Sequence, residues 1–192
     1  MKRRFLSRFL YPAVIALPLI LLGNVHAEKA DSQKEIAATG DKVDVDDIKQ
    51  IQTVTGNAVL TQGTLIIKGA KLVVTTSPDG WHFGTMYAPS GSLATMRQKR
   101  DGGPDLWMEG EASDRITYDE KTAIAILYRN AKVRRLTGTQ KTDESTAAYL
   151  SYNSQTEIVN GANTESGESK PGAGRATITM QPHSHPDDKK AQ

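Results

Sequence analysis

Three close pairs of carboxylates are the residues of this 192-residue chain whose types and spacing could support acid–base chemistry. The pairs are Asp46 with Asp47, Glu109 with Glu111, and Asp119 with Glu120. Two apposed carboxyl groups can act as general acid and base in glycoside hydrolysis. Each pair, however, lies where turn chemistry already accounts for acidic residues. The sequence therefore favours neither a hydrolase nor a lyase, and no catalytic residue is predicted.

The histidines are the residues that could hold a metal. His183 and His185 lie near the C-terminus beside Asp187 and Asp188, whereas His82 stands alone. A structural metal site needs a rigid set of three or four ligands, which a solvated tail does not supply. Cysteine is absent, and the Gly-rich stretch "GESKPGAG" lacks the Gly-Lys-Ser/Thr ending of a phosphate loop. We expect no metal, no cofactor and no enzymatic activity.

The first 27 residues, "MKRRFLSRFLYPAVIALPLILLGNVHA", have the layout of a secretory signal peptide: a basic start, an apolar middle and a small-residue exit at Ala27. A retained anchor is the alternative, but Pro12 and Pro18 interrupt an apolar run that is shorter than the roughly 20 residues a spanning helix needs. The leader holds four of the 24 basic residues and none of the 22 acidic ones, so the mature chain has a net charge of −2. That balance argues against a nucleic-acid partner.

The elements that must position any site are strands, because the apolar residues after Val43 recur with period two between Gly, Asn and Asp turns. Only one short helical turn is predicted, near Lys34 and Glu35. Related hairpin-like units begin at Val43, Leu72, Ile116 and Leu150, with spacings too irregular for a solenoid. Strands are predicted over 43–46, 50–61, 64–76, 81–87, 92–99, 105–109, 113–119, 122–128, 131–137, 146–152 and 155–160, with a last one at 175–180.

This pattern predicts an all-β fold of antiparallel strands, either a sandwich or an open roll. About 165 residues after the leader suffice for one domain with a core. We predict a flexible segment over 28–38, one β domain over 39–180, and a disordered polar tail over 181–192. The alternation of apolar and polar residues changes phase at Gly69, which predicts a bulge or bend there. The apolar alternation cannot by itself distinguish a filled core from a lipid groove.

Three stretches together resemble the LptA/OstA family of periplasmic lipopolysaccharide-transport proteins: "TGNAVLTQGTLIIKGAKLVV", "EGEASDRITYD" and "YRNAKVRRLTG". The family's Gly-Asn-small motif, Thr-Gln-Gly turn and Ala-x-x-apolar strand are matched at 56–58, 61–63 and 70–72. The second copy departs from the pattern, because Arg129 replaces the Gly before Asn130 and no Thr-Gln-Gly follows Val133. The resemblance covers roughly Thr39 to Asn160.

The resemblance implies an open β-jelly roll that works in the periplasm and shields the acyl chains of lipopolysaccharide (its lipid A part). It also implies partners of similar fold at the inner and outer membranes. Because an open roll leaves strand edges unpaired at its ends, we predict head-to-tail copies joined through the edges near 43–46 and 149–159. A related membrane-proximal component of the same system and a secreted polysaccharide-acting β-enzyme stay open as alternatives. Combined with the alternation, the resemblance assigns these residues to an apolar, lipid-binding interior: Val43, Val45, Val54, Leu60, Leu65, Ile67, Leu72, Val74, Ile116, Tyr118, Ile126, Tyr128, Val133, Leu150 and Tyr152.

Overall fold

Twelve antiparallel strands make up the computed structural model, which describes residues 31–182. The leader at 1–27 and the histidines of the tail lie outside the described residues. Within 31–182, no helix is both long and apolar enough to cross a membrane. The strands are β1 (Ile36–Thr39), β2 (Lys42–Asp46), β3 (Ile51–Gln62), β4 (Leu65–Thr76), β5 (His82–Tyr87), β6 (Ala94–Lys99), β7 (Leu106–Ala112), β8 (Arg115–Asp119), β9 (Ile124–Thr137), β10 (Gln140–Asn153), β11 (Ile158–Ala162) and β12 (Thr177–Met180).

Four long strands, β3, β4, β9 and β10, change neighbours midway and thereby divide the sheet in two. For example, the first part of β3 pairs with β2 and its last part with β1, while β9 pairs first with β8 and then with β7. Half-sheet I has the order β1-β3-β4-β6-β7-β9-β10-β12, and half-sheet II has the order β2-β3-β4-β5-β8-β9-β10-β11. Among the described strands, β1, β2, β11 and β12 keep one free edge. The prediction of an all-β open roll is confirmed.

Left-handed backbone marks the point where two of the long strands change neighbours. On β3, Gly56 and Asn57 have φ of 75° and 48°, and on β9, Arg129 and Asn130 have φ of 64° and 48°. Gly and Asn enter this region most readily, whereas a residue with a longer side chain does so at a cost. Arg129 thus adopts the conformation of the glycine it replaces. Its guanidinium donates two hydrogen bonds to Glu165, at 2.8 and 3.1 Å, which help to hold it there.

The predicted break at Gly69 is also the point where β4 changes neighbours. Pairing with β6 stops at Lys68, and pairing with β5 starts at Lys71. A Cβ on Gly69 would lie 2.4 Å from the carbonyl oxygen of Tyr87, closer than any side chain can approach. Glycine is therefore required here so that the two backbones can come together.

The inner faces of the two half-sheets pack directly on each other. A Cβ on Gly110 of half-sheet I would lie 2.7 Å from Leu127 Cδ2 of half-sheet II, so a larger residue there would have to displace the Leu127 side chain. A Cβ built on Gly84 of half-sheet II would lie 3.4 Å from Leu60 Cδ1 of half-sheet I, so the two layers are in van der Waals contact there as well. The buried apolar cluster includes Ala58, Leu60, Leu65, Ile67, Met96, Met108 and Val133 from half-sheet I, and Val54, Leu72, Val74, Met86, Ile116, Tyr118, Leu127, Leu150 and Tyr152 from half-sheet II.

Strands β9 and β10 differ from their predictions. One 14-residue strand replaces the two predicted over 122–128 and 131–137. Strand β10 begins at Gln140 rather than at 146. Its first half is polar, and Glu144 pairs with Arg134 across the ladder instead of burying an apolar side chain. Cross-strand ion pairs stabilise sheets without leaving an apolar alternation in the sequence.

Residues 36–38 were predicted to belong to a flexible segment, but they form most of strand β1. The strand pairs with the end of β3, from Ile36 opposite Gln62 to Thr39 opposite Val59. A turn precedes it, closed by the Lys34 amide donating to the Asp31 carbonyl at 2.9 Å. The sequence "IAAT" has no alternation, so its pairing partner on β3, and not its own pattern, makes it a strand.

Candidate functional site

The interior between the half-sheets collects most of the residues that sequence analysis assigned to an apolar lining. Eleven of the fifteen lie in the buried cluster. They come from β3, β4, β8, β9 and β10, so both half-sheets contribute. These eleven are Val54, Leu60, Leu65, Ile67, Leu72, Val74, Ile116, Tyr118, Val133, Leu150 and Tyr152.

Two of the fifteen face outward, and placing them inside was wrong. On β9 the inner positions belong to Ala125 and Leu127, which are buried, while Ile126 and Tyr128 lie on the outer face. The run "IAILY" is apolar at both parities, so alternation alone could not fix which set faces in. Tyr128 instead packs edge-on against Tyr149, with ring centroids 5.6 Å apart. Sequence reasoning missed Leu127 for the same reason.

Val43 and Val45 occupy the inner face but are not covered. Val43 lies opposite the buried Val54 on the neighbouring strand, yet its side chain is 55 % exposed, and Val45 is 59 % exposed. At the other end of the roll, Ile178 and Met180 of β12 are exposed in the same way. The apolar inner face therefore runs out to the free strand edges at both ends of the described structure.

The inner face changes from apolar to polar along the strands. The two half-sheets are joined along one side of the roll, where the long strands β3, β4, β9 and β10 pass from one half-sheet to the other. We call the opposite side, where the strand ends of the two half-sheets meet, the mouth. Toward the mouth, the buried apolar residues are followed by a glutamine or an arginine on each of three strands. The inward series are Ala58, Leu60 and Gln62 on β3; Ala94, Met96, Gln98 and then Arg100 along β6; and Ala131, Val133 and Arg135 on β9.

A buried hydrogen bond crosses the mouth near β1. The Tyr118 hydroxyl of half-sheet II donates to Gln62 Oε1 of half-sheet I at 2.9 Å. The Gln62 amide donates in turn to the carbonyl oxygens of Ser32 and Lys34, at 3.3 and 3.2 Å. Asp31 is also buried and accepts a hydrogen bond from the Thr64 hydroxyl. The N-terminal turn is thus fastened over this end of the mouth.

A second set of contacts crosses the mouth near β11, around Glu157 in the turn between β10 and β11. Arg100 Nη2 lies 2.5 Å from Glu157 Oε2, and the Asp101 amide donates to Glu157 Oε1 at 3.2 Å. Arg135 Nη2 donates to the Glu157 carbonyl oxygen at 3.1 Å. Its Nη1 lies 3.9 Å from Asp143 Oδ2. Two interior arginines of half-sheet I are therefore tied to one acidic residue of half-sheet II.

The outer face of half-sheet I is ionic where the inner face is apolar. Arg97 of β6 contacts Glu109 of β7 at 2.6 Å, and Arg134 of β9 contacts both Glu111 and Glu144, at 2.8 and 3.0 Å. Partial burial would raise the pKa of Glu144, but hydrogen bonds from Arg134 and Lys141 prevail and lower it. The pair Glu109 and Glu111 thus serves in surface ion pairs.

Three of the four other candidate carboxylates, Asp46, Asp119 and Glu120, also have structural partners. Asp46 accepts a hydrogen bond from the Lys49 amide at 3.0 Å, and Asp119 accepts one from the Lys121 amide at 2.9 Å. Glu120 accepts a hydrogen bond from the backbone amide of His82, and its carboxylate lies 2.8 Å from that ring's Nδ1. Among residues 31–182, no group of three or more metal-ligating side chains could hold an ion.

The known proteins to which this chain is similar are lipopolysaccharide-transport proteins. The family model described as "LptA/(LptD N-terminal domain) LPS transport protein" matches residues 35–158. The lipopolysaccharide export system protein LptA of Haemophilus influenzae is 27 % identical over 122 residues, which cover 64 % of this chain and 69 % of that one. LptA of Escherichia coli K12 is 31 % identical over 120 residues, or 62 % and 63 % of the two chains.

The fold is also similar to a solved structure. LptH of Pseudomonas aeruginosa, described as the LptA-homologous periplasmic component of the lipopolysaccharide transport device, superposes with a TM-score of 0.67 at 20 % identity. The match covers 80 % of this chain and 99 % of the LptH chain. It shows that the two-layered roll described above is the fold of that protein.

Proposed function

The chain belongs to the family of LptA and LptD N-terminal-domain lipopolysaccharide transport proteins, and from this premise we propose that it carries lipopolysaccharide through the periplasm with the acyl chains held between its two half-sheets. The observation that carries the proposal is the graded inner face, apolar at depth and polar at the mouth. Such a surface matches a lipid whose chains avoid water while its sugar head remains hydrated.

The free energy of hiding the chains is large. Each methylene kept from water contributes about 0.8 kcal/mol, so a lipid with several chains cannot cross an aqueous space unshielded. The inner faces touch in this structure, so chains can enter only if the half-sheets part. Side chains such as Leu60 and Leu127 would then exchange contacts with each other for contacts with acyl chains. The inner faces therefore stay out of water in the loaded state, and the burial of the acyl chains offsets the loss of contact between the half-sheets.

We propose that several roll domains join edge to edge to make a longer path. The free edges of β1 and β2 at one end and of β11 and β12 at the other present unpaired backbone groups, which are templates for another strand. The uncovered Val43, Val45, Ile178 and Met180 would continue the apolar face across such a joint. Partners of similar fold at the two membranes, and head-to-tail copies of this chain, fit both ends.

This role requires neither catalysis nor a cofactor. Five of the six carboxylates that could have served an enzyme already act in turns and ion pairs, which supports a passive carrier. We further propose that the leader over 1–27 is removed on export and that the domain over 39–180 acts in the periplasm.

Neighbouring isoleucines on β4 provide the test. Ile67 is buried on the inner face, whereas Ile66 lies on the outer face opposite Arg97. We expect a diazirine-bearing aliphatic amino acid at position 67 to form covalent adducts with lipopolysaccharide upon irradiation, and the same residue at position 66 to form few. Mass spectrometry of the irradiated complex measures both.

Position 66 serves as the matched control, because it has the same residue type, strand and chemistry on the opposite face. Equal crosslinking from both positions would mean that lipid adsorbs to the outside of the roll. Crosslinking from position 66 alone would contradict the proposed path.

A further inference from the structure

The two interior arginines at the mouth have hydrogen-bonding capacity that the structure does not use. Among the described residues, the buried side-chain atoms without a hydrogen-bond partner are Arg100 Nε and Arg135 Nε. Buried polar groups are nearly always hydrogen-bonded, because leaving one unpaired costs about 1–3 kcal/mol. Two such donors, on arginines that share Glu157, indicate that these guanidinium groups can bind a further anionic partner.

Glu157 engages each arginine incompletely. Its carboxylate contacts Arg100 through Nη2, while Arg135 reaches only its backbone carbonyl. Neither oxygen of this carboxylate makes a hydrogen bond to either Nε group, since Oε2 accepts from Arg100 Nη2 and Oε1 from the Asp101 amide. A tetrahedral phosphate could accept two parallel bonds from each guanidinium, the geometry in which arginine binds such groups most strongly.

The position of the pair fits the head of an amphiphile. Arg135 continues the inward series of β9 two residues after Val133, and Arg100 lies one residue beyond the end of β6, two residues after Gln98. Anything bound by both arginines would have its polar group at the mouth and its apolar part over Met96, Met108 and Val133. Parting the half-sheets would also separate Arg100 from Glu157, since Arg100 belongs to half-sheet I and Glu157 to half-sheet II.

We propose that Arg100 and Arg135 form a phosphate-binding pair for the lipid head, and that Glu157 occupies this pair only while the roll is closed. The inference rests on the proposed function, and it adds the residues that select a phosphorylated lipid. Asp143, near Arg135, limits the pair to strongly anionic groups, because a neutral sugar could not displace both acidic neighbours. The phosphate replaces Glu157 on the two arginines, so binding of the ligand itself breaks the contact between Arg100 and Glu157.

The experiment compares lipid A carrying its phosphates with the same lipid after chemical dephosphorylation, using equilibrium binding to the mature protein. The wild type is expected to bind the phosphorylated lipid about tenfold or more tightly than the dephosphorylated one, the effect of losing charge-assisted hydrogen bonds. Arg100→Gln with Arg135→Gln should abolish this preference, so that the variant binds the two lipids with equal affinity. Glu157→Gln should tighten binding of both lipids and leave the preference intact, because it weakens a contact that parting of the half-sheets must break.

A matched control comes from the outer face of the same half-sheet. Arg97 and Glu109 form a similar arginine–glutamate pair at 2.6 Å, and Arg97→Gln should leave the preference intact. If the double variant does not fold, Arg135→Gln alone decides the matter, because it should reduce the preference while leaving the contact between Arg100 and the Glu157 carboxylate in place. A wild type that binds both lipids equally would overturn the phosphate-binding pair but leave the carrier function standing, whereas failure to bind either lipid would overturn both.

Inorganic phosphate distinguishes the source of the anion. It should not raise the melting temperature of the lipid-free wild type, because Glu157 holds the pair in the closed roll. Stabilisation by inorganic phosphate that is lost in the double variant would assign the pair to free phosphate and overturn its role toward the lipid.

Discussion

Replacing Ile67 with aspartate is expected to lower the free energy of unfolding by about 4 kcal/mol or more, whereas Ile66→Asp should change it by less than about 1 kcal/mol. Ile67 is 2 % exposed among apolar neighbours, so a carboxylate there has no partner. Ile66 lies on the outer face opposite Arg97, with Lys68 two residues along, so a carboxylate there gains cationic neighbours. Urea denaturation of both variants measures the difference.

The same pair separates folding from lipid binding. Any Ile67→Asp protein that remains folded should bind lipopolysaccharide more weakly than the parent, since a charge would face the acyl chains. Ile66→Asp should bind as the parent does. Equal stability losses at the two positions would mean that the inner and outer faces of β4 are wrongly assigned.

The second large effect is expected at the edge of β2. Val45→Asp should weaken self-association about tenfold or more, because it places a charge on the apolar inner face where the next copy would continue it. Val45 is 59 % exposed in the single chain, so the stability of the monomer should hardly change. Sedimentation over a wide concentration range measures the association constant, and heterologous contacts predict oligomers that lengthen with concentration.

Ile48→Asp is the control for this variant. Ile48 is 97 % exposed in the turn after β2, so it introduces the same charge three residues away but off the edge strand. It should self-associate as the parent does. If the parent itself is strictly monomeric at high concentration, or if both variants associate normally, this edge is not the joint between copies.

Much of the fold was predictable because one physical signal dominates it. Strands β3 and β4 alternate clearly, so their bounds were predicted to within one residue and all six of the lining residues assigned to them are buried. The Gly69 break was visible because glycine sits where parity changes. The first half of β10 was not predictable, because its residues are polar and show no apolar alternation. They are held in the sheet by pairing with Arg134 and Arg135 of β9.

The polar end of the interior was also beyond sequence reasoning. Arg100 follows a strand of alternating residues and reads as the start of a loop, and Glu157 reads as a turn residue. Arg100 and Glu157 come together only because the two half-sheets meet at the mouth. Likewise, Gln62 looks like part of a turn motif until Tyr118 is found to donate to it across the mouth. Contacts between layers depend on how the half-sheets close, which strand periodicity does not encode.

The central claim is that the half-sheets part to take acyl chains between them, and distances between spin labels test it most directly. The sequence contains no cysteine, so pairs of labels can be introduced without background. One pair joins Thr95 on the outer face of half-sheet I to Phe83 on the outer face of half-sheet II. A control pair, Thr95 and Thr177, lies within half-sheet I. On saturation with lipopolysaccharide, the distance between the half-sheets should lengthen by several ångströms, while the distance within half-sheet I stays the same. An unchanged distance between half-sheets in a protein shown to be fully loaded would contradict the account.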